Sequence, residues 1–252
     1  MTNEQLESCR SHLVVKSNYF IQKTRYTLSL QQQKIILYFI SQIKPNDTDF
    51  QTYSFSLPEL CDVCGIEHNG KNYRNFKDSI KKLHDSSFWI ETEDSEYLIS
   101  WVSDVRIDKE KSIVHLRFDS RLKPYLLQLR EKFTAYELGS VLQMRSKYSI
   151  RIYELLRSYA NIGVVRLDMA EFRQLLNLAG EYSDYRNLKK FVIDKAVAEI
   201  NEYSDIYIVF SPIKTGKRVT GLIFSIAEKS SIDCCKLRIL RESKLNGGKD
   251  NV

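Results

Sequence analysis

No stretch of this chain carries the roughly 18 consecutive apolar residues that a membrane-spanning helix needs. The opening residues, MTNEQLESCR, also lack the apolar segment of a secretory signal. Both absences point to a cytoplasmic protein with no membrane partner. Cysteine is scarce and irregular. The five residues Cys9, Cys61, Cys64, Cys234 and Cys235 form no paired framework, which fits reduced thiols in a cytosol. Histidine is scarcer still: His12, His68, His84 and His115 are scattered and make no His-x-His pair. CDVC (Cys61 to Cys64) with His68 has the spacing of half a zinc site, but no second ligand pair lies nearby and the run sits on an expected helix. Packed thiols explain it better. TGKR (Thr215 to Arg218) shares only a Gly-Lys pair with a phosphate loop and reads as a hairpin turn. No catalytic constellation emerges, so the expectation is a protein that is not an enzyme and holds no metal or cofactor.

What the chain does have is enough apolar side chain for real cores. Hydrophobic residues make up 43% and charged residues 28%, and 252 residues can form two domains of roughly 100 to 150 each. The net charge of +6 permits a polyanionic partner, and its position must decide.

Two hexamers echo one another, NYRNFK (Asn72 to Lys77) and DYRNLK (Asp184 to Lys189). The spacing that separates Tyr73 from Tyr185 also aligns YSFSLPEL (Tyr53 to Leu60) with VRLDMAEF (Val165 to Phe172). Each of these begins with alternating apolar residues, the period of a short strand, and continues into a helix-start signal, Ser56 with Glu59 or Asp168 with Glu171. Pro58 suits a first helical turn. Inward positions run in parallel, Leu60, Val63 and Ile66 against Phe172, Leu175 and Leu178. Upstream of each unit lies an amphipathic helix. One is capped by Ser29 and Gln32, presents Ile36, Phe39, Ile40 and Ile43, and ends at Pro45. The other presents Ile152, Leu155, Leu156 and Tyr159 and ends near Gly163. Downstream of each unit lie alternating strands around a charged turn, Asp108 to Lys111 or Lys214 to Arg218.

The order helix, strand, helix, turn, helix, hairpin therefore occurs twice. It predicts an α+β chain of two tandem winged-helix domains related by an internal pseudo-repeat. The expected bounds are a flexible segment 1–15, a first domain 16–130, a second domain 131–228 and a basic flexible tail 229–252. The join falls where DSRLKPYLLQLREKF leads into TAYE, read as another T-x-x-E cap.

In a helix-turn-helix the start of the second helix faces the major groove. Lys71, Asn72, Tyr73, Arg74 and Lys77, with Lys81 further along, occupy that helix in the first copy. Ser183, Tyr185, Arg186, Lys189 and Lys190 occupy it in the second. Arg can hold guanine O6 and N7 with two bonds, Asn can do the same for adenine, and Lys or Tyr can reach phosphates. Phe76, Ile80 and Leu83, and likewise Leu188, Val192, Ala196 and Ile200, fall on the core face. Lys109 and Lys111, and Lys214, Lys217 and Arg218, stand at the hairpin tips, where contact with phosphates gives salt-sensitive affinity. One basic helix is more often a solvated face. Recurrence in both copies, each with a basic hairpin, favours binding to double-stranded DNA. A nicking enzyme is disfavoured by the missing histidine pair, whereas a tandem winged-helix repressor stays open.

SKYSIRIYELL (Ser146 to Leu156), DYRNLKKFVIDKAVAEIN (Asp184 to Asn201) and IKTGKRVTGLIFSI (Ile213 to Ile226) resemble three consecutive signatures of the plasmid initiator replication proteins of iteron-controlled, theta-type plasmids. Residues from about Asn18 to Leu129 resemble the more divergent first winged helix of that family. The resemblance implies binding to direct repeats in a replication origin, with both winged helices in successive major grooves, opening of an adjacent AT-rich segment, and recruitment of the host initiator and replicative helicase. It also implies self-association through the N-terminal domain, with dimers repressing their own gene. Many family members carry proline where this chain has Lys195, which implies a differently bent second recognition helix.

Overall fold

The computed structural model describes residues 3–64, 69–178 and 180–246. Ile66 and His68, named above, and residues 247–252 of the tail lie outside the described residues. The chain divides into two compact units, Met1–Leu138 and Gly139–Val252.

The first unit runs through α1 (Asn3–Ser11), β1 (Leu13–Ser17), α2 (Asn18–Lys23), α3 (Leu30–Ile40), β2 (Tyr53–Ser56), α4 (Leu57–Cys64) and α5 (Gly70–Asp85). It continues through β3 (Ser87–Glu91), β4 (Glu96–Ser100), β5 (Val102–Asp108), β6 (Ile113–Phe118), α6 (Lys123–Leu126) and β7 (Phe133–Glu137). The capping box on α3 forms as its sequence dictates: the Gln32 N–H donates to Ser29 Oγ at 3.2 Å, and the Ser29 N–H donates to Gln32 Oε1 at 2.8 Å. On α4 the Glu59 N–H donates to Ser56 Oγ at 3.1 Å, while Glu59 Oε1 accepts from the Tyr38 hydroxyl at 2.9 Å. Phe39 packs edge-on against Phe55 with ring centroids 4.6 Å apart, and Leu60, Phe76, Ile80, Leu83, Val114 and Leu116 close this core. The three-stranded sheet has the order β2-β6-β5.

Three expectations about this unit need correction. Residues 1–15 include a helix and the start of a strand: Leu6 of α1 is buried, and the Arg10 guanidinium donates to the Asp62 carbonyl oxygen at 3.1 Å. TAYE is strand, since β1 pairs antiparallel with β7 and sets Val14 opposite Tyr136 and Lys16 opposite Thr134, all four buried. That period-two face outweighs the local cap signal and carries the first unit on to Leu138. Finally, the β-rich run holds two hairpins. Between α5 and the β5–β6 hairpin sits β3–β4, whose Phe88 joins Phe20, Tyr26 and Trp101 in an aromatic cluster with centroids 4.9 to 6.3 Å apart.

The second unit runs through α7 (Gly139–Leu142), α8 (Lys147–Arg157), β8 (Val164–Asp168), α9 (Met169–Leu175), α10 (Tyr185–Leu188), a π-helical turn (Lys189–Ile193), α11 (Asp194–Tyr203), β9 (Ile206–Thr215), β10 (Arg218–Glu228) and α12 (Ser231–Asn246). Its sheet order is β8-β10-β9, so the sheet's first strand in chain order lies beside its last, as in the β2-β6-β5 sheet. Asp168 caps α9, accepting from the Ala170 and Glu171 N–H groups at 2.7 and 3.4 Å. Ile152, Leu155, Leu156, Leu167, Phe172, Leu188, Val192, Ala196, Ile200 and Phe224 form the core. Gly221 sits at a register shift in β10, where an added Cβ would stand 2.7 Å from the Leu167 carbonyl oxygen. Only glycine allows that approach.

The tail expected from residue 229 is helical from Ser231 to Asn246. Lys229 ahead of it is buried: its ammonium donates to the Asn201 and Ser204 carbonyls at 2.6 and 2.7 Å and lies 4.5 Å from the Tyr207 ring centroid. A cation at a helix C-terminus satisfies carbonyls that the helix leaves open.

Candidate nucleic-acid interface

In the first unit Asn69 caps α5 by accepting from the Asn72 N–H at 2.9 Å. Phe76, Ile80 and Leu83 turn to the core, which leaves Lys71, Arg74 and Lys77 exposed on the opposite face and Asn72 and Tyr73 half-buried. Lys81 is also exposed, but it pairs with Asp85 at 2.8 Å one turn further on. α5 packs against β5, whose hairpin tip carries exposed Lys109 and Lys111. Asp108 shapes that tip, accepting from the Lys111 and Glu110 N–H groups at 3.1 Å each. Those bonds hold its carboxyl below the usual carboxylate range.

In the second unit Asp184 caps the recognition helix through the Asn187 N–H at 3.2 Å. Ser183, Arg186, Lys189 and Lys190 are exposed. Tyr185 is half-buried, and its hydroxyl is buried without a hydrogen-bond partner among the described residues. Burial pushes that phenol's pKa up. The Lys189 ammonium reaches both oxygens of Asp194 at 2.8 and 2.7 Å and lies 5.6 Å from the Phe210 ring centroid on β9. The helix thus stands beside the β9–β10 hairpin, whose tip exposes Lys214, Lys217 and Arg218 around Gly216 at φ 60°. Each unit therefore brings its helix residues and its hairpin residues to adjoining elements.

Two contributors were not singled out by sequence. Arg173 on α9 reaches across the turn ahead of the recognition helix and donates to the carbonyls of Glu181 at 3.1 Å, Ser183 at 3.2 Å and Tyr182. That turn contains Gly180 at φ 80° and Tyr182 at φ 51°, so it depends on outside support. Phe191, half-exposed in the π turn, lies near the Tyr182 ring and beneath the Lys190 ammonium, 5.1 Å from its centroid. Its place between two lysines in KKFV is the signal available in the sequence.

The two cysteines of CDVC are buried. Desolvation raises the thiol of Cys61 and lifts Cys64 to about 12. Such sites favour neutral thiols, whereas a metal needs thiolates. Among the described residues no group of three or more His, Cys, Asp or Glu side chains is placed to hold a metal ion. Among them, no helix is long and apolar enough to cross a membrane.

The family described as "Initiator Replication protein, WH1" matches residues 13–157, and "Initiator Rep protein, WH2" matches residues 168–226. The chain is 26% identical to a "Replication initiation protein" of Escherichia coli over 250 residues, 95% of this chain and 77% of that protein. It is 24% identical to a "Probable replication protein rep" of Bifidobacterium longum over 201 residues, 78% of this chain and 66% of that protein. Its fold is similar to that of the Pi initiator protein solved in complex with iteron DNA, with a TM-score of 0.72 at 19% identity over 88% of this chain and 99% of that one.

Proposed function

The chain belongs to the initiator replication protein family, and on that premise we propose that it binds double-stranded DNA at the direct repeats of a plasmid origin to initiate replication. The observation that carries this reading is the duplication itself. Each winged helix exposes Arg or Lys on the first turns of its recognition helix and again at its hairpin tip. The iteron DNA bound by the Pi initiator, a protein of similar fold, supports direct repeats as the target.

In this reading Arg186, Lys190 and Ser183 read bases or grip phosphates in one major groove, and Lys71, Asn72, Tyr73, Arg74 and Lys77 do so in another. The hairpin lysines and Arg218 hold the flanking phosphates. The protein acts in the cytoplasm by binding and without a catalytic step, and hands the opened origin to the host initiator and replicative helicase. Self-association through the first unit yields a dimer that represses its own gene. Support for such a face comes from the β3–β4 hairpin, where Trp89 and Leu98 lie opposite one another and both stay about half-exposed.

The test is binding of the full chain to duplexes carrying tandem direct repeats, one inverted repeat, or scrambled sequence. Preference for the direct repeats supports an initiator. Preference for the inverted repeat alone supports a plain repressor.

A further inference from the structure

Lys189 and Asp194 are five positions apart, and in a regular α-helix such residues diverge by ~140° around the axis. They meet here because Lys189–Ile193 is a π turn, in which the Asp194 N–H donates to the Lys189 carbonyl and so brings position i over i+5. The pair is two-pronged, 2.8 and 2.7 Å, and both side chains keep nearly half their surface in water. An exposed pair of this kind is weak enough to open. Arg186 and Lys190, by contrast, are exposed on either side of it and hold no ion pair among the described residues.

This arrangement takes one cation out of the set that any passing duplex could use. Non-specific affinity comes almost wholly from phosphate neutralisation, and a loosely held duplex offers Lys189 only shifting, hydrated phosphates in exchange for a carboxylate already on the same helix. A matched groove, held by neighbouring contacts, offers a fixed acceptor instead. We infer that Asp194 is a specificity-determining residue, which acts by holding Lys189 back from DNA of unrelated sequence. The inference rests on the reading of this helix as a DNA reader and adds a carboxylate to the residues that govern it.

The test is fluorescence anisotropy of the full chain with a short scrambled duplex over a salt series, for wild type, Asp194→Asn, Lys189→Ala and the double variant. Asp194→Asn should tighten scrambled binding roughly three- to eightfold near 0.1 M salt and steepen the log–log salt slope by up to about 0.9, one phosphate contact. Binding to a direct-repeat duplex should gain less, so the ratio between the two falls. In the Lys189→Ala background Asp194→Asn should change neither quantity by as much, a dependence that general loosening of the helix would not produce. An unchanged scrambled affinity and slope in Asp194→Asn overturns the inference, as does an effect that persists undiminished without Lys189. If wild type fails to prefer direct repeats, the proposed function falls, while the scrambled-duplex measurements still decide the role of Asp194.

Discussion

Arg186 stands on the first turn of the second recognition helix with its side chain exposed and the turn beneath it fixed. Arg186→Ala should weaken binding to the direct repeat by about 1 to 3 kcal/mol and relax preference at one base pair. Titration against single-base variants of the repeat would show it. Uniform weakening across all variants would instead make Arg186 a phosphate contact. Tyr185 makes a different prediction, because its hydroxyl is buried and unpartnered among the described residues. Removing an unsatisfied polar atom relieves desolvation. Tyr185→Phe should leave thermal stability unchanged or raised by up to about 1 kcal/mol, and it should leave DNA affinity intact. A large affinity loss would place that hydroxyl on DNA. Among the thiols, Cys235 is exposed and Cys64 buried with its pKa near 12. A maleimide should therefore modify Cys235 rapidly and Cys64 only on unfolding, which peptide mapping can follow.

At the scale of elements, Arg173 is the side chain that ties the turn of the second helix-turn-helix to α9. Arg173→Ala should lower stability by about 1 to 2 kcal/mol, read in a urea titration, and should weaken DNA binding although Arg173 itself is not proposed to touch DNA. Gly221→Ala should destabilise the second unit by about 1 to 3 kcal/mol, since a methyl group would meet a backbone carbonyl that cannot easily move. Much of the element plan was legible in sequence because it is written locally: Ser29 with Gln32 and Asp168 ahead of Glu171 are caps within one turn of chain, and they formed. The π turn was not. Leu188, Val192, Ala196 and Ile200 repeat every four residues, which in an α-helix drifts by ~40° per step. The wide turn takes back that drift and lets the adjacent Ile193 be buried too. A strict spacing of four read as a plain apolar face hid the feature that pairs Lys189 with Asp194.

At the scale of the whole molecule, the duplicated order of elements was visible because both copies keep caps and strand periods at one offset. What sequence could not supply was pairing between distant segments. β1 and β7 are short and unremarkable alone, and only their mutual register, Val14 on Tyr136 and Lys16 on Thr134, makes them strands and carries the first unit to Leu138. The β3–β4 hairpin was likewise hidden inside one long β-rich run, where alternation does not say which strand pairs with which. The candidate residues on the two helices and hairpin tips were legible by position, and their availability was not: Lys81 and Lys189 look like their neighbours in sequence, yet each is held by a carboxylate on its own helix. The central claim, that two winged helices read direct repeats to start replication, is tested most directly by a competition isotherm of the full chain on a tandem direct-repeat duplex against a scrambled duplex at physiological salt. The account predicts binding to the repeats at least ~10³-fold tighter, the lower end for specific DNA binders; equal affinity for the two duplexes would contradict it.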